Sequence, residues 1–414
     1  MHDPLASLKI NHFRYFLLAR LCLTFATQMQ VLVIGWQVYE YTQSPFWLGM
    51  IGLTGALPFI GVVLFAGHVA DIMDRKKIIL YSTLLLCVCG LLLWVFTLHN
   101  QFFLHRYGIA PVFVLVFLSA VSKAFVSPSL FALLSQIIPR AQYHNATAWN
   151  STAWQIGAIG GPAAGGLLYG FAGITITYFI AFLLSVLAAA AIYFIPAYPL
   201  PPKQKKESLA ASLKLGIDFV FSTKEIIAAL SLDLFAVFFG GAVALLPMFA
   251  DQVLKIGPLG YGLLRAAPSA GAVIMAAVLV YHPPLKNTGV KLLCAVFGFG
   301  VCMVLFAISK SPALSFALLA LSGAFDSVSV VIRATILQVM TPDEMRGRVM
   351  AVNQIFLGSS NELGEFESGL AAKLLHLVPS VIFGGGMTLL GTAFTAVFSK
   401  KLRQLQLKEK INPQ

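Results

Sequence analysis

The sequence predicts an all-α membrane protein of twelve transmembrane helices in two pseudo-symmetric six-helix bundles. Three observations carry this prediction. The 414 residues are 58% hydrophobic and only 11% charged, with a mean hydropathy of +0.85, whereas soluble domains run at roughly 25% charged. The apolar residues gather into twelve stretches, each close to the ~20 residues that a helix needs to cross a bilayer. The two sets of six also repeat each other. At an offset of 203, Pro139, Ala148, Asn150, Gly161 and Gly166 meet Pro342, Ala351, Asn353, Gly364 and Gly369, and at 213, Pro45 and Gly49 meet Pro258 and Gly262. These matches fall at corresponding loop and helix positions, as a duplicated half requires.

In chain order, the first six spans are expected over residues 13–39, 46–69, 78–97, 110–138, 147–171 and 174–195. The opening run is too long for a signal-peptide core and lacks a small-residue cleavage site before polar sequence. The last six are expected over 226–250, 259–281, 290–308, 313–339, 349–375 and 379–398. Between the sets, residues 196–223 carry Pro199, Pro201, Pro202 and the cluster Lys203-Gln204-Lys205-Lys206. They read as a cytoplasmic linker between an N-terminal bundle (1–195) and a C-terminal bundle with its tail (224–414). Within the linker, 209–221 has apolar residues at helical spacing, suited to lying on a membrane surface.

Positive charge sets the orientation. If both termini are cytoplasmic, twenty of the 28 Lys and Arg fall in inside loops and tails or, for Arg14 and Lys291, at the inner ends of spans, three (Arg106, Lys255, Lys310) fall outside, and five lie deeper within spans. Cytoplasmic loops are enriched in Lys and Arg, so the expected topology has N and C termini inside. The net charge of +12 is therefore that of a membrane protein's inner face, and no nucleic-acid partner is expected. Cys22, Cys87, Cys89, Cys294 and Cys302 all lie in apolar stretches without metal-ligand spacing, and read as packing residues.

Residues 67–77, Gly-His-Val-Ala-Asp-Ile-Met-Asp-Arg-Lys-Lys, form a polar knot between the second and third spans, and as a minimum they are a positive-inside loop. Their repeat equivalent, 281–291, lacks the pattern. The fifth span carries Gly157-x-x-x-Gly161-Pro162-x-x-Gly165-Gly166. Small residues let helices approach closely, and an internal proline permits a bend.

Charges inside spans each cost several kcal/mol unless paired or wet. The cations are Arg20, Lys123, Arg265, Arg333 and Lys373, and the anions Asp233, Asp326, Glu362, Glu365 and Glu367. The repeat sets Arg20 against Asp233 and Lys123 against Asp326, positions that in a pseudo-symmetric transporter can face each other across a central cavity. Asp326 and Arg333, seven apart, share one helical face. Glu362 and Glu365 are i,i+3 neighbours, and two carboxylates so placed in a low dielectric cannot both ionise cheaply, the condition for a proton carrier. Two readings stand side by side: proton traffic, or structural pairing that locks the halves. Arg265 and Lys373 read as snorkelling cations.

With these residues in view, the chain resembles a major facilitator superfamily transporter over almost its full length. Gly67-x-x-x-Asp71-x-x-x-Arg75-Lys76 resembles that superfamily's signature loop between helices 2 and 3, with Asp74 standing where a Gly is usual. The resemblance implies that Asp71 sits at a helix end and that the basic residues bridge to neighbouring helices. The fifth-span motif matches the superfamily's antiporter motif, which marks exporters more than importers; generic small-residue packing would produce the same spacing. Residues 341–349, Thr-Pro-Asp-Glu-Met-Arg-Gly-Arg-Val, followed by 361–369, resemble the bacterial subgroup that contains the enterobactin exporter and macrolide efflux proteins. That subgroup implies export from the cytoplasm of a small molecule, a siderophore or drug-like compound, by proton antiport, from a monomer in the bacterial inner membrane with no cofactor. The fourth span lacks the Arg of the wider drug-exporter pattern and has Lys123 near its place.

Other classes leave no trace. No His-Glu-x-x-His or Gly-x-Ser-x-Gly is present, so no enzyme is expected, and no Gly-x-x-x-x-Gly-Lys-Ser/Thr loop would power a primary pump. An importer or a lipid flippase on the same scaffold remains the second functional reading.

Overall fold

The computed structural model describes residues 5–139, 142–198, 209–284 and 286–406. Every regular element among them is helical. Lipid imposes this, because backbone polar groups find no water there and a helix satisfies them within one segment.

The first helices are α1 (Asn11–Thr42), α2 (Pro45–Ile72), α3 (Arg75–Leu98), a short α4 (Asn100–Tyr107), α5 (Ala110–Ile137) and α6 (Tyr143–Tyr193). Local chemistry sets their ends. Gln43 turns left-handed at φ 48° to stop α1, and Pro45 opens α2, where its missing N–H costs nothing. The Asp74 side chain accepts from the Lys76 N–H at 3.0 Å and caps α3. α6 is 51 residues long and is broken at Gly173 (φ 80°, ψ 174°), a conformation open to glycine, so it supplies two spans.

The later helices begin with α7 (Leu209–Ser222) and α8 (Lys224–Gly240). The seventh span then continues through a 3₁₀ turn (Ala242–Leu245), a single turn α9 (Leu246–Met248) and a π-helical turn (Phe249–Val253). After it come α10 (Gly257–Tyr281), α11 (Thr288–Ile308), α12 (Pro312–Met340), α13 (Asp343–Leu375), α14 (Leu377–Phe398) and a terminal turn α15 (Lys400–Arg403). Ten helical segments among the described residues are long and apolar enough to cross a membrane. Dividing α6 at Gly173 and adding the 33-residue, charge-bearing α13 brings these to the twelve expected spans.

The structure differs from the expected boundaries in three places. α2 runs on through Ile72, so only Met73 and Asp74 separate it from α3. α4 forms where a plain outer loop was expected. The seventh span changes helix type after Gly241, a residue that weakens a helix. In the linker, the helix foreseen from apolar spacing is present as α7, with Val220 fully buried and packing on α8 and α13. Residues 199–208, including the lysine cluster, lie outside the described residues.

The chain divides into two compact units. One comprises Met1–Gln43, Thr54–Lys203 and Ile256–Ala266, and the other Ser44–Leu53, Gln204–Lys255 and Ala267–Gln414. The first packs α1 on α6 and α3 on both α5 and α6, around Phe13, Phe16, Ile79, Leu86, Leu133 and Ile192. The second packs α11 on α12 and α14, and α8 on α13 and α14, around Ile226, Leu230, Leu292, Ile332 and Ile336. The segments at the starts of α2 and α10 that join the other half's unit, Ser44–Leu53 and Ile256–Ala266, correspond to within one residue at the 213 offset. The duplication therefore extends to how each half is assembled.

Candidate transport site

In the second unit, Asp233 on α8 and Arg333 on α12 form an ion pair at 2.5 Å, each side chain 5% exposed. The Arg333 Nε also donates to Ser329 Oγ at 3.3 Å. Asp326 lines the same small cavity as Asp233, closed by Val296, Phe299 and Phe325, with a volume of about 10 Å³, room for roughly one water. Asp326 and Arg333 share a face of α12, yet the guanidinium reaches across to α8 instead. Seven residues are about 10.5 Å of helical rise, whereas a neighbouring helix packs at 8–10 Å with side chains meeting between the axes.

In the first unit, Arg20 on α1 and Lys123 on α5 line a cavity of about 230 Å³ together with Thr24, Thr27, Gln28, Ser127 and Trp154. The Arg20 Nε is buried with no hydrogen-bond partner among the described residues. The two cavities are repeat images of each other. At offset 213, Arg20, Leu23, Thr24 and Leu86 in one correspond to Asp233, Ala236, Val237 and Phe299 in the other; at 203, Lys123 and Val126 correspond to Asp326 and Ser329. One copy is closed over an ion pair and the other is open and basic.

The fifth-span motif has two faces. Gly157, Gly161 and Gly165, four residues apart, lie against α1: a Cβ there would stand 2.6 Å from Thr24, 2.7 Å from Gln28 and 3.3 Å from Leu32. Gly166 faces the start of α10 instead, where a Cβ would stand 2.7 Å from the Gly262 Cα, and a Cβ on Gly262 would come 2.7 Å from the Pro162 carbonyl. The mirror contact joins Gly369 of α13 to Gly49 of α2. Close backbone approach of this kind is what small residues contribute inside membranes.

Glu362 and Glu365 are half-buried on α13. They abut the first turns of α2, where a Cβ on Gly52 would lie 2.6 Å from both the Glu362 carbonyl and the Glu365 Cβ. They line neither charged cavity. Phe366 meets Phe46 edge-on, and the Lys373 ammonium sits 4.5 Å over the Phe46 ring, an aromatic partner that the snorkelling reading did not include. Of the signature loop, Arg75 donates to the Ala132 carbonyl of α5 at 3.3 Å and Lys76 to the Tyr193 carbonyl of α6 at 2.9 Å. Gly67 and Asp71 fall within α2, with side-chain surroundings outside the described residues.

Sequence reasoning missed two features. Trp154 lies three residues before Gly157 on the motif helix, and helical periodicity alone would have brought it toward the same side. The other is a polar network in α1 and α6: Tyr178 donates to Gln37 at 2.7 Å and Tyr169 to Glu40 at 2.8 Å. A fully buried Tyr among apolar residues needs such a partner.

The family described as transmembrane secretion effector matches residues 2–413. The enterobactin exporter EntS of Shigella dysenteriae serotype 1 is 24% identical over 387 residues, covering 93% of this chain and 91% of the relative, and EntS of Escherichia coli O1:K1 matches to the same extent. Among solved structures, a point mutant of the nucleoside transporter NupG aligns with a TM-score of 0.75 at 13% identity, over 94% of this chain and 100% of that one. A bacterial homolog of the human lysosomal transporter Spinster, inward-facing and unoccupied, aligns at 0.71 and 13%, over 97% and 98%. With this fold and full-length match, the chain is a major facilitator superfamily membrane transporter and belongs to the transmembrane secretion effector family.

Proposed function

We propose that this transporter exports a small molecule, a siderophore or drug-like compound, from the cytoplasm across the inner membrane in exchange for protons, by alternating access. The observation that carries the reading is the cluster of two carboxylates, Asp233 and Asp326, around the single guanidinium of Arg333. Asp233 and Arg333 neutralise each other, and Asp326 adds a negative charge to a membrane-embedded site where an uncompensated ion costs several kcal/mol. A proton on the cluster removes that charge, so binding and release of one proton switch it between two electrostatic states. Glu362 and Glu365, against α2, are a second acid pair of the same kind. The export direction draws support from the relatives named enterobactin exporters and from the motif glycines that let α6 pack closely on α1 and α10. The signature stretch Gly67, Asp71 and Arg75 serves as the cytoplasmic gate, its Arg75 tying α3 to α5. The protein works as a monomer with both termini inside.

Enterobactin, named in the relatives, is the first compound to test. In inverted membrane vesicles, export appears as uptake, and the lumen stands for the periplasm. Acidifying the lumen should accelerate enterobactin uptake several-fold, and nigericin, which collapses the pH gradient, should remove that acceleration. Uptake insensitive to the gradient would exclude proton coupling; no uptake of enterobactin or of a macrolide panel would exclude the substrate range.

A further inference from the structure

We infer that the cavity of the first unit is an anion site, which selects an aromatic organic acid as the transported class. This deepens the export reading and rests on it for the word "transported", while the binding itself does not.

The comparison between the two repeat-related cavities carries the inference. Their equivalent positions hold opposite charge, Arg20 for Asp233 and Lys123 for Asp326. In the second unit Arg333 reaches Asp233 at 2.5 Å and little room is left. In the first unit two cations line a cavity of about 230 Å³ and no acid is among the described lining residues. The Arg20 Nε is buried and has no hydrogen-bond partner among the described residues. A buried donor left unmade costs free energy, and Arg20 lines the cavity, so its guanidinium, turned toward an entering carboxylate, gains the strong charge-assisted bond that arginine forms with planar anions.

The rest of the lining narrows the ligand. Thr24 and Thr27 donate their hydroxyl protons to the helix carbonyls of Arg20 and Leu23 at 2.8 Å, so the positive character rests on Arg20 and Lys123. Leu86, Val126 and the ring of Trp154 supply an apolar, aromatic wall. Benzene fills an apolar cavity of about 150 Å³, and the present one therefore accepts one or two fused rings carrying a carboxylate. Stacking on Trp154 suits such a ring.

The test is binding to the purified full-length protein in detergent, without any gradient, by titration calorimetry. The probes are 2-naphthoate, its neutral amide and the cationic 2-naphthylmethylamine. Saturable binding of the naphthoate is expected, at least ten-fold tighter than of the amide or the amine. Arg20→Gln and Lys123→Gln should each weaken naphthoate binding at least ten-fold, and Arg20→Lys should restore part of it. Trp154→Phe should retain binding while losing the tryptophan fluorescence quench that accompanies it. Lys123 is exposed, so its variant keeps the test decisive if changes at Arg20 impair folding. Equal binding of amide and acid, or unchanged naphthoate affinity in folded Lys123→Gln, overturns the anion site. Failure of pH-driven uptake in vesicles would leave this result untouched, and the reverse also holds.

Discussion

Asp233 and Arg333 join α8 to α12 through an ion pair sealed from solvent, with each side chain 5% exposed. Removing one partner strands the other in a low-dielectric interior, which costs far more than the pair itself contributes. Arg333→Gln, which leaves Asp233 and Asp326 together without a cation, is therefore expected to destabilise the protein by about 3–5 kcal/mol, seen as a lower thermal midpoint in detergent. The doubly neutral Asp233→Asn, Arg333→Gln variant should recover most of that loss. A double variant as unstable as the sum of the singles would show that the two side chains act separately.

The glycine contacts between α6 and α10 and between α13 and α2 are equivalent through the repeat, so substitutions there should act alike. Gly166→Val and Gly369→Val both force side chains into space where even a Cβ would meet another glycine's Cα. Each should cut transport at least ten-fold. Gly61 and Gly386 have nothing within 4 Å of an added Cβ, and Gly61→Ala and Gly386→Ala should leave transport near wild type. Equal losses in all four variants would mean that backbone freedom, not close approach, is what the glycines contribute.

Much of this fold was legible beforehand because in lipid the length of an apolar run nearly decides the element. The repeat offsets matched Arg20 to Asp233 and Lys123 to Asp326, and each matched residue lines the cavity of its own unit. What stayed hidden depends on neighbours. Spacing along α12 shows that Asp326 and Arg333 share a face, but not that Asp233 comes from α8 to take the guanidinium. Nor does a run of apolar residues reveal that the seventh span changes helix type after Gly241, since that is decided by packing around it.

Topology follows from the distribution of Lys and Arg. Reporter fusions after Asn100 and after Ile256 are expected to be periplasmic, and a fusion at Lys206 cytoplasmic. A periplasmic Lys206 would contradict an even number of spans before the linker.

Asp326→Asn tests the coupling step itself. The amide cannot take up or release a proton, and it leaves Asp233 and Arg333 to neutralise each other, so the cluster is held in the electrostatic state that protonation would create. Electrostatic switching is then lost while the ion pair that supports the fold remains. Uptake into inverted vesicles should lose its dependence on lumenal acid entirely, whereas exchange of labelled for unlabelled substrate at equal pH, which needs no net proton movement, should continue at a comparable rate. Asp326→Glu, which keeps the titratable group, should retain part of the gradient-driven flux. Because Glu362 and Glu365 lie on another helix against α2, Glu365→Gln separates the two acid sites: if it abolishes the gradient response and Asp326→Asn does not, the proton travels through α13. If both variants still move protons with substrate as wild type does, Asp326 and Glu365 are structural and the coupling site lies elsewhere.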